Sequence, residues 1–304
     1  MRVAVIDCGT NTFNLLIGDK TENGFQTVFS DKISVKIGKG GIHNALITKD
    51  AMERAYLALE AHKGSISKFK ADKIRVIATS AFRSASNAHE LTSIVKSKLN
   101  LDIEIISGDQ EAKFIYKGVM QSGALDADYS LIMDVGGGSC EFIIANVEKA
   151  AEFFSFDTGV SRLIEMFRPS DPIKPEQIDE MYNYISSVIE PLFTASKKYE
   201  ILHLVGSSGT FDTFADMIFF ETGHQLKQEL TLSYDLKDFF EIYDKIIHST
   251  LQQRLQMNGM ARFRAEMIVA SVIHVKVITD FFKFRNIKSS AYSLKEGVLI
   301  DTHA

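Results

Sequence analysis

Residues 2–19, RVAVIDCGTNTFNLLIGD, and residues 130–147, SLIMDVGGGSCEFIIANV, carry one pattern twice. Each is an apolar run ending in Asp, then a glycine-containing turn, then a second apolar run. Superimposed, Asp7 falls on Asp134, Gly9 on Gly136, Thr12 on Ser139 and Asn14 on Glu141, a constant offset of 127 positions. The pattern is that of a β-hairpin with an acidic group at the mouth of a tight turn. One copy has an ordinary explanation, because turn Asp side chains satisfy backbone amides. A matched pair predicts two related halves whose turns face each other across a cleft and hold a phosphate–metal group.

The turn chemistry suits that ligand. Gly9, Gly136, Gly137 and Gly138 let backbone approach an anion closely, and successive N–H groups in such turns form an anion-binding concavity. Thr10, Asn11, Thr12 and Ser139 add neutral donors. Asp7, Asp134 and Glu141 would repel phosphate by themselves. They make sense if a hard cation lies between them and the phosphate oxygens, and magnesium takes one or two carboxylates plus water and phosphate.

Bulk properties narrow the class. At 304 residues, 45% apolar and 24% charged, the chain has the size for two domains and the composition of a globular protein. Its net charge of −5 argues against nucleic-acid binding by charge alone. No apolar run reaches the roughly 18–20 residues of a membrane span, and the N-terminus enters a strand pattern without a signal core. The two cysteines, Cys8 and Cys140, give no disulfide framework and read as small reduced core residues. The expectation is a cytoplasmic protein with neither membrane nor nucleic acid as partner.

Strand patterns occur at 2–7, 12–18, 25–29, 74–79, 103–107, 130–135, 140–145, 151–156 and 201–206. Helical patterns follow Thr48 (Ala51, Ala55, Ala58, Leu59, His62, Ile66) and recur near 87–99, 109–121 and from Ile178 to Ile189. The segment 264–284 is apolar on most sides and reads as a buried helix, with Arg262 and Arg264 at its start. Alternating strands and helices predict an α/β protein with mixed sheets. The boundary falls in QSGALDAD, just before the second hairpin, which gives domains of 1–124 and 125–304, with the last helix packing back on the first.

Further candidates lie in three segments. VIATSAFRSASNA (76–88) places Arg83, a bidentate phosphate fork, in a loop after a strand; a surface Arg at a helix start is the plain alternative. IEIISGDQEAKFIY (103–116) puts Glu111 in the first turn of a helix capped by Ser107 or Asp109. There the dipole favours an ionised carboxylate, able to deprotonate water. VGSSGT (205–210) is a third glycine turn after a strand; Gly206, Ser207, Ser208, Gly209 and Thr210 suit a phosphate or a nucleoside edge. The eight histidines form no cluster, and His203 and His274 read as satisfied core residues.

IDCGTNTFNLLI, VIATSAFRSASNA, IISGDQEA, MDVGGGSCEF and VGSSGT, in this order and spacing, resemble the exopolyphosphatase / guanosine pentaphosphate phosphohydrolase family of the sugar kinase–actin–heat-shock chaperone superfamily. SVKIGKGG (34–41) and RAEMIVAS (264–271) also fit, and the likeness spans essentially the whole chain. The resemblance implies two ribonuclease-H-like domains around a cleft, and Mg2+-dependent hydrolysis of a terminal phosphoanhydride. Glu111 matches the catalytic base. Asp134 and Glu141 match metal-associated carboxylates, with Asp7 beside them. The turns at 9–12 and 136–139, with Arg83, match phosphate contacts, and the turn at 206–210 and Arg264 are further candidates for phosphate binding. Thr10 and Thr12 stand where Ser is usual, Gln110 replaces an acid, and Lys36 replaces an Arg, losing a bidentate fork. Longer members continue into helical domains, so the resemblance is to the short, two-domain form. The expected activity is exopolyphosphatase. Guanosine pentaphosphate 5′-phosphatase uses the same chemistry. A kinase on the same fold and a non-enzymatic phosphate or nucleotide sensor are the rivals, and an intact Glu111 argues against the sensor. The expected partner is inorganic polyphosphate or guanosine pentaphosphate; the sequence leaves room for a homodimer.

Overall fold

The computed structural model of the chain describes residues 1–220 and 229–303. The first lobe runs β1 (Arg2–Cys8), β2 (Thr12–Thr21), β3 (Gly24–Ser34), α1 (Lys49–Phe69), β4 (Lys73–Ala78), α2 (Ser80–Ser84), α3 (Ala88–Leu99), β5 (Ile103–Ile105) and α4 (Gly108–Gln121). The second continues β6 (Tyr129–Val135), β7 (Cys140–Ala145), β8 (Ala150–Phe156), α5 (Val160–Phe167), α6 (Pro175–Val188), α7 (Glu190–Ser196), β9 (Ile201–Ser207) and α8 (Ser208–Ile218). It ends with β10 (Thr231–Tyr234), α9 (Leu236–Ile247), α10 (Leu251–Arg254), α11 (Ile268–Phe281), β11 (Asn286–Ser290) and α12 (Leu294–His303).

The two sheets share a topology. The first has the order β3-β2-β1-β4-β5 and the second β8-β7-β6-β9-β11, with β10 added at its far edge. In each, the first three strands are antiparallel and the next two parallel. This is the ribonuclease-H-like order, present twice. The duplication extends to register, since Asp7 pairs with Asn14 across its hairpin as Asp134 pairs with Glu141.

Each lobe has its own core, and a third core lies between them. Val3, Val5, Leu16 and Ile77 of the first sheet face Ile132, Ile143 and Val205 of the second, with Ile115 and Val119 of α4 and Val298 and Leu299 of α12 in between. Ala4 and Ile6, the alternate residues of β1, join the first lobe's own core. That double burial explains the near-continuous apolar run of β1. Close approach of α12 to α4 depends on glycine: a Cβ at Gly297 would lie 1.8 Å from the Phe114 carbonyl oxygen, and one at Gly118 would lie 2.1 Å from that of Ser293.

Local signals behave as chemistry requires. Thr48 caps α1 by accepting from the Ala51 amide at 3.3 Å, and the six positions read as its apolar face are its buried residues. Ser107, rather than Asp109, caps α4. Its hydroxyl accepts from the Gln110 amide while the Gln110 side chain accepts from the Ser107 amide. Gln110 thus completes a capping box. Several boundaries differ: β3 reaches Ser34, β5 stops at Ile105, and α11 begins at Ile268, leaving Arg262–Arg264 in a separate 3-10 turn. Strand β10 is four residues long, with Leu232 and Tyr234 buried at alternate positions, and β11 lacks an apolar pattern. The buried Ser289 and Ser290 of β11 are satisfied by polar partners: Ser289 Oγ lies 3.3 Å from the Phe211 carbonyl oxygen and 3.2 Å from the Tyr234 hydroxyl, and Ser290 Oγ lies 2.9 Å from Ser122 Oγ. His203 is satisfied, with Nδ1 2.6 Å from Asn286 Oδ1. His274 is not, because both ring nitrogens are buried without a partner, and burial lowers its pKa to about 3. Among the described residues no helix is long and apolar enough to cross a membrane.

Candidate active site

The two hairpin turns meet. A Cβ at Gly137 would lie 2.7 Å from Asn11 Nδ2, and one at Gly138 would lie 2.8 Å from Thr10 Oγ1 and 2.6 Å from Ser80 Oγ. Only glycine permits this approach. Ser161 Oγ donates to Asn11 Oδ1 at 2.9 Å and ties the turns together.

Both turns are held from behind by their carbonyls. Val35 and Lys36 amides donate to Asn11 O, each at 2.9 Å, and Ile37 donates to Thr10 O at 2.9 Å. The SVKIGKGG segment is therefore a backing for the first turn. In the second, Val160 donates to Gly136 O at 3.0 Å and Ser161 to Gly137 O at 2.8 Å, while Arg162 Nε donates to Gly138 O at 3.1 Å. A trans peptide unit points its N–H opposite to its C=O. The amides of Asn11, Thr12, Gly137, Gly138 and Ser139 consequently point away from these supports. Residues 9–12 and 136–139 line a common cavity of about 190 Å3, along with Asp7, Glu111, Asp134, Ser208, Gly209, Thr210 and Arg264.

Of the four carboxylates read as site residues, Asp7, Glu111 and Asp134 line this cavity and Glu141 lies behind its wall, each with a defined support. Asn14 Nδ2 donates to Asp7 at 3.0 Å. Asp134 Oδ2 accepts from Ser207 Oγ at 2.7 Å and from Ser293 Oγ. Glu141 is 1% exposed and accepts from Ser155 Oγ at 2.7 Å. Glu111 is 7% exposed and pairs with Arg83 Nη1 at 3.0 Å. Burial raises the pKa of Asp7 to about 6. Burial, with the Asp134 charge, raises Glu141 to about 7. Glu111 is pushed well above the ordinary carboxylate range by burial and by Glu141, against the pull of Arg83. The helix dipole is therefore not what dominates at Glu111: desolvation beside a second buried acid pushes its pKa upward.

Four of the residues read as ligand contacts do not line the cavity. Arg83 uses one nitrogen for both Glu111 and the Ile106 carbonyl, at 3.0 and 3.1 Å, and so supports the acid. Gly206 makes room for the Phe211 ring, which a Cβ would meet at 1.9 Å. Ser207 gives its hydroxyl to Asp134, and Glu141 lies behind the wall.

The sequence did not single out the other cations and hydroxyls here. Lys32 of β3, Asp212 of α8, Ser293 and Lys295 line the cavity. Arg264 lies against Gly209, whose Cβ would meet the guanidinium at 1.2 Å. Phe263 lies between two cations, with Lys32 Nζ 4.9 Å and Arg264 Cζ 5.1 Å from its ring centre. Desolvation and the Arg264 charge lower Lys32 to about 8, and burial raises Asp212 to about 6. Burial acts against the charge of Lys295, but Glu296, Asp212 and Asp7 outweigh it and raise its pKa. The hydroxyls of Ser80 and Ser208 are buried without a partner, and both residues line the cavity.

The donor set fits magnesium in kind, being all-oxygen and rich in carboxylates whose pKa values burial raises. It is not a preformed cage. Among the described residues, the trio of ligating side chains within 4.8 Å of one another is Asp126, Asp128 and His203, outside this cavity. Magnesium's habit of taking one or two carboxylates and filling its shell with water and phosphate suits the open arrangement.

The sequence model of the Ppx/GppA phosphatase family matches residues 16–304. The crystal structure of an exopolyphosphatase from Cytophaga hutchinsonii superposes with a TM-score of 0.96 at 36% identity, covering 99% of this chain and 97% of that one. A Ppx/GppA family member from Aquifex aeolicus gives 0.84 at 23% identity, covering 100% and 97%. At that identity the second likeness speaks for the fold alone.

Proposed function

We propose that this chain, which belongs to the Ppx/GppA phosphatase family, is a magnesium-dependent exopolyphosphatase that removes the terminal phosphate of inorganic polyphosphate. The observation that carries the reading is the contact between the two glycine turns above one acidic cavity with Glu111 in its wall. The likeness to the Cytophaga hutchinsonii exopolyphosphatase supports it. The free, buried Cys8 and Cys140 suit a cytoplasmic enzyme.

The turn amides and the hydroxyls of Thr10, Thr12 and Ser139 hold the terminal phosphoryl group and stabilise charge developing on its oxygens. Glu111 takes a proton from water as the water oxygen bonds to the terminal phosphorus. The bond from phosphorus to the bridging oxygen breaks, giving orthophosphate and a chain one unit shorter, and Glu111 then returns its proton to solvent. A base with an elevated pKa matches this task near neutral pH. Asp134 and Asp7, with Glu141 behind them, would hold magnesium, which supplies neutralising charge to the phosphoryl oxygens.

The test is phosphate release from polyphosphates of several lengths, guanosine pentaphosphate and ATP, with and without magnesium. Release from polyphosphate that requires magnesium supports the reading. Preference for guanosine pentaphosphate moves the assignment to the 5′-phosphatase. No release from any of the three leaves a binding protein.

A further inference from the structure

Lys295 occupies an unusual place for a cation. It lies in the first turn of α12, where the helix dipole disfavours positive charge. Its ammonium is fixed at 2.8 Å by Glu296 Oε1, and the other oxygen of Glu296 accepts from the Ser293 amide at 2.9 Å. Ser293 stands where a capping hydroxyl ordinarily accepts from the helix's third amide. Here that hydroxyl donates to Asp134 instead. One helix start therefore holds an acid of the cavity through Ser293 and a cation of the cavity through Glu296.

Lys295 is not alone. Lys32, from the other lobe, and Arg264 line the same cavity, and all three exert their charge on Asp212. The cavity thus has acids at the hairpin turns and three cations grouped around α8. The buried, partnerless hydroxyl of Ser208 lies on the cationic side, at the start of α8 beside Gly209, which Arg264 covers.

We infer that Lys295, positioned by Glu296, is the specificity-determining contact for the phosphates adjoining the one removed. The inference rests on the phosphohydrolase reading above. Lysine offers a compact, rotatable charge rather than a planar fork, which suits a flexible chain entering in more than one rotation.

The test uses the full chain with Lys295→Met, Lys295→Gln and Lys295→Arg. Rates are measured with inorganic tripolyphosphate and long polyphosphate. Tripolyphosphate binding is measured by calorimetry in chelator, where turnover is absent. A charge-assisted contact predicts that KM for tripolyphosphate rises about tenfold or more in the neutral variants, with a much smaller change in kcat. Lys295→Arg restores most of the loss. Unchanged KM and unchanged binding in a neutral variant with wild-type circular dichroism overturn the inference while leaving the proposed function standing. Equal losses in the Arg and neutral variants overturn it too, because shape and not charge is then at stake. Failure of both neutral variants to fold makes Lys295 structural and also refutes it. If the wild-type protein hydrolyses no polyphosphate, the proposed function fails, and the calorimetry alone decides whether Lys295 binds the chain.

Discussion

Replacing Arg83 with Met removes a cation 3.0 Å from Glu111. At that separation and an effective dielectric near 20, the pair interaction is roughly 5–6 kcal/mol before solvent screening. Arg83 keeps a quarter of its side chain exposed, so the realised effect is smaller. An opposite charge at contact ordinarily moves a carboxyl by about 1–3 pKa units. The sign is fixed: Glu111 is already raised by burial and by Glu141, and loss of Arg83 raises it further. A larger fraction of the base is then protonated at any given pH. The acidic limb of the kcat/KM profile should move about 1–3 units to higher pH, lowering the rate at neutrality by about 10- to 1000-fold and recovering it in alkali. The assay is phosphate release across the pH range at saturating magnesium. A uniform rise in KM with an unmoved acidic limb would refute the argument and return Arg83 to direct phosphate binding. The same nitrogen contacts Ile106 and Glu111, so the Arg83→Lys variant, which keeps one charge in reach of the acid, should retain much of the activity. The fork argument that the sequence invites predicts a larger loss.

Glu111→Gln should lower kcat by about 10²–10⁴-fold while tripolyphosphate affinity by calorimetry survives; joint loss of both would make Glu111 a ligand holder. Gly138→Ala places a methyl 2.6 Å from Ser80 Oγ and 2.8 Å from Thr10 Oγ1, so turnover and Tm should both fall, and wild-type values for both would show that the turns yield. Asp7 and Glu141 are raised from 3.8 to about 6 and from 4.5 to about 7. The folded state therefore binds more protons than the unfolded state between those values, and stability falls as pH rises through that window. Thermal melts in chelator should show Tm dropping from acid to neutral pH, with magnesium restoring the neutral end; a flat profile would contradict the carboxylate account.

The fold was legible where burial leaves a period in the sequence. The hairpins β1–β2 and β6–β7 are mostly buried around their turns, so apolar runs broken by Asp and Gly marked them. The face of α1 carried a clean helical spacing, and α11 is buried all round. Strands β10 and β11 escaped because β10 offers only two alternate apolar positions, Leu232 and Tyr234, and β11 only Ile287. Ser289 and Ser290 fill a buried strand by hydrogen bonding, which no hydropathy pattern records. Gln110 was read only as a missing charge, although Ser107 three positions earlier already spelled a capping box.

The candidate site divides along the same physical line. Residues whose backbone makes the site, in the turns at 9–12 and 136–139, are visible because glycine is required where one turn touches the other. Residues whose side chains complete it are single positions on distant elements. Lys32 is one of two charged residues on an edge strand, and Lys295 looks like an ordinary solvated lysine at the start of a helix. A signal for Lys295 did exist: a cation in a first helical turn, beside an acid three positions after a serine, is a poor choice for helix stability. Local disadvantage of that kind is what a site residue leaves in a sequence when its partners lie elsewhere. Gly206, by contrast, looked like a ligand glycine and serves the Phe211 ring. A glycine after a strand reports close approach without saying what approaches. Only the folded arrangement, with two hairpin turns in contact and three cations from separate elements around α8, distinguishes an approach to a neighbouring side chain from one left for an anion.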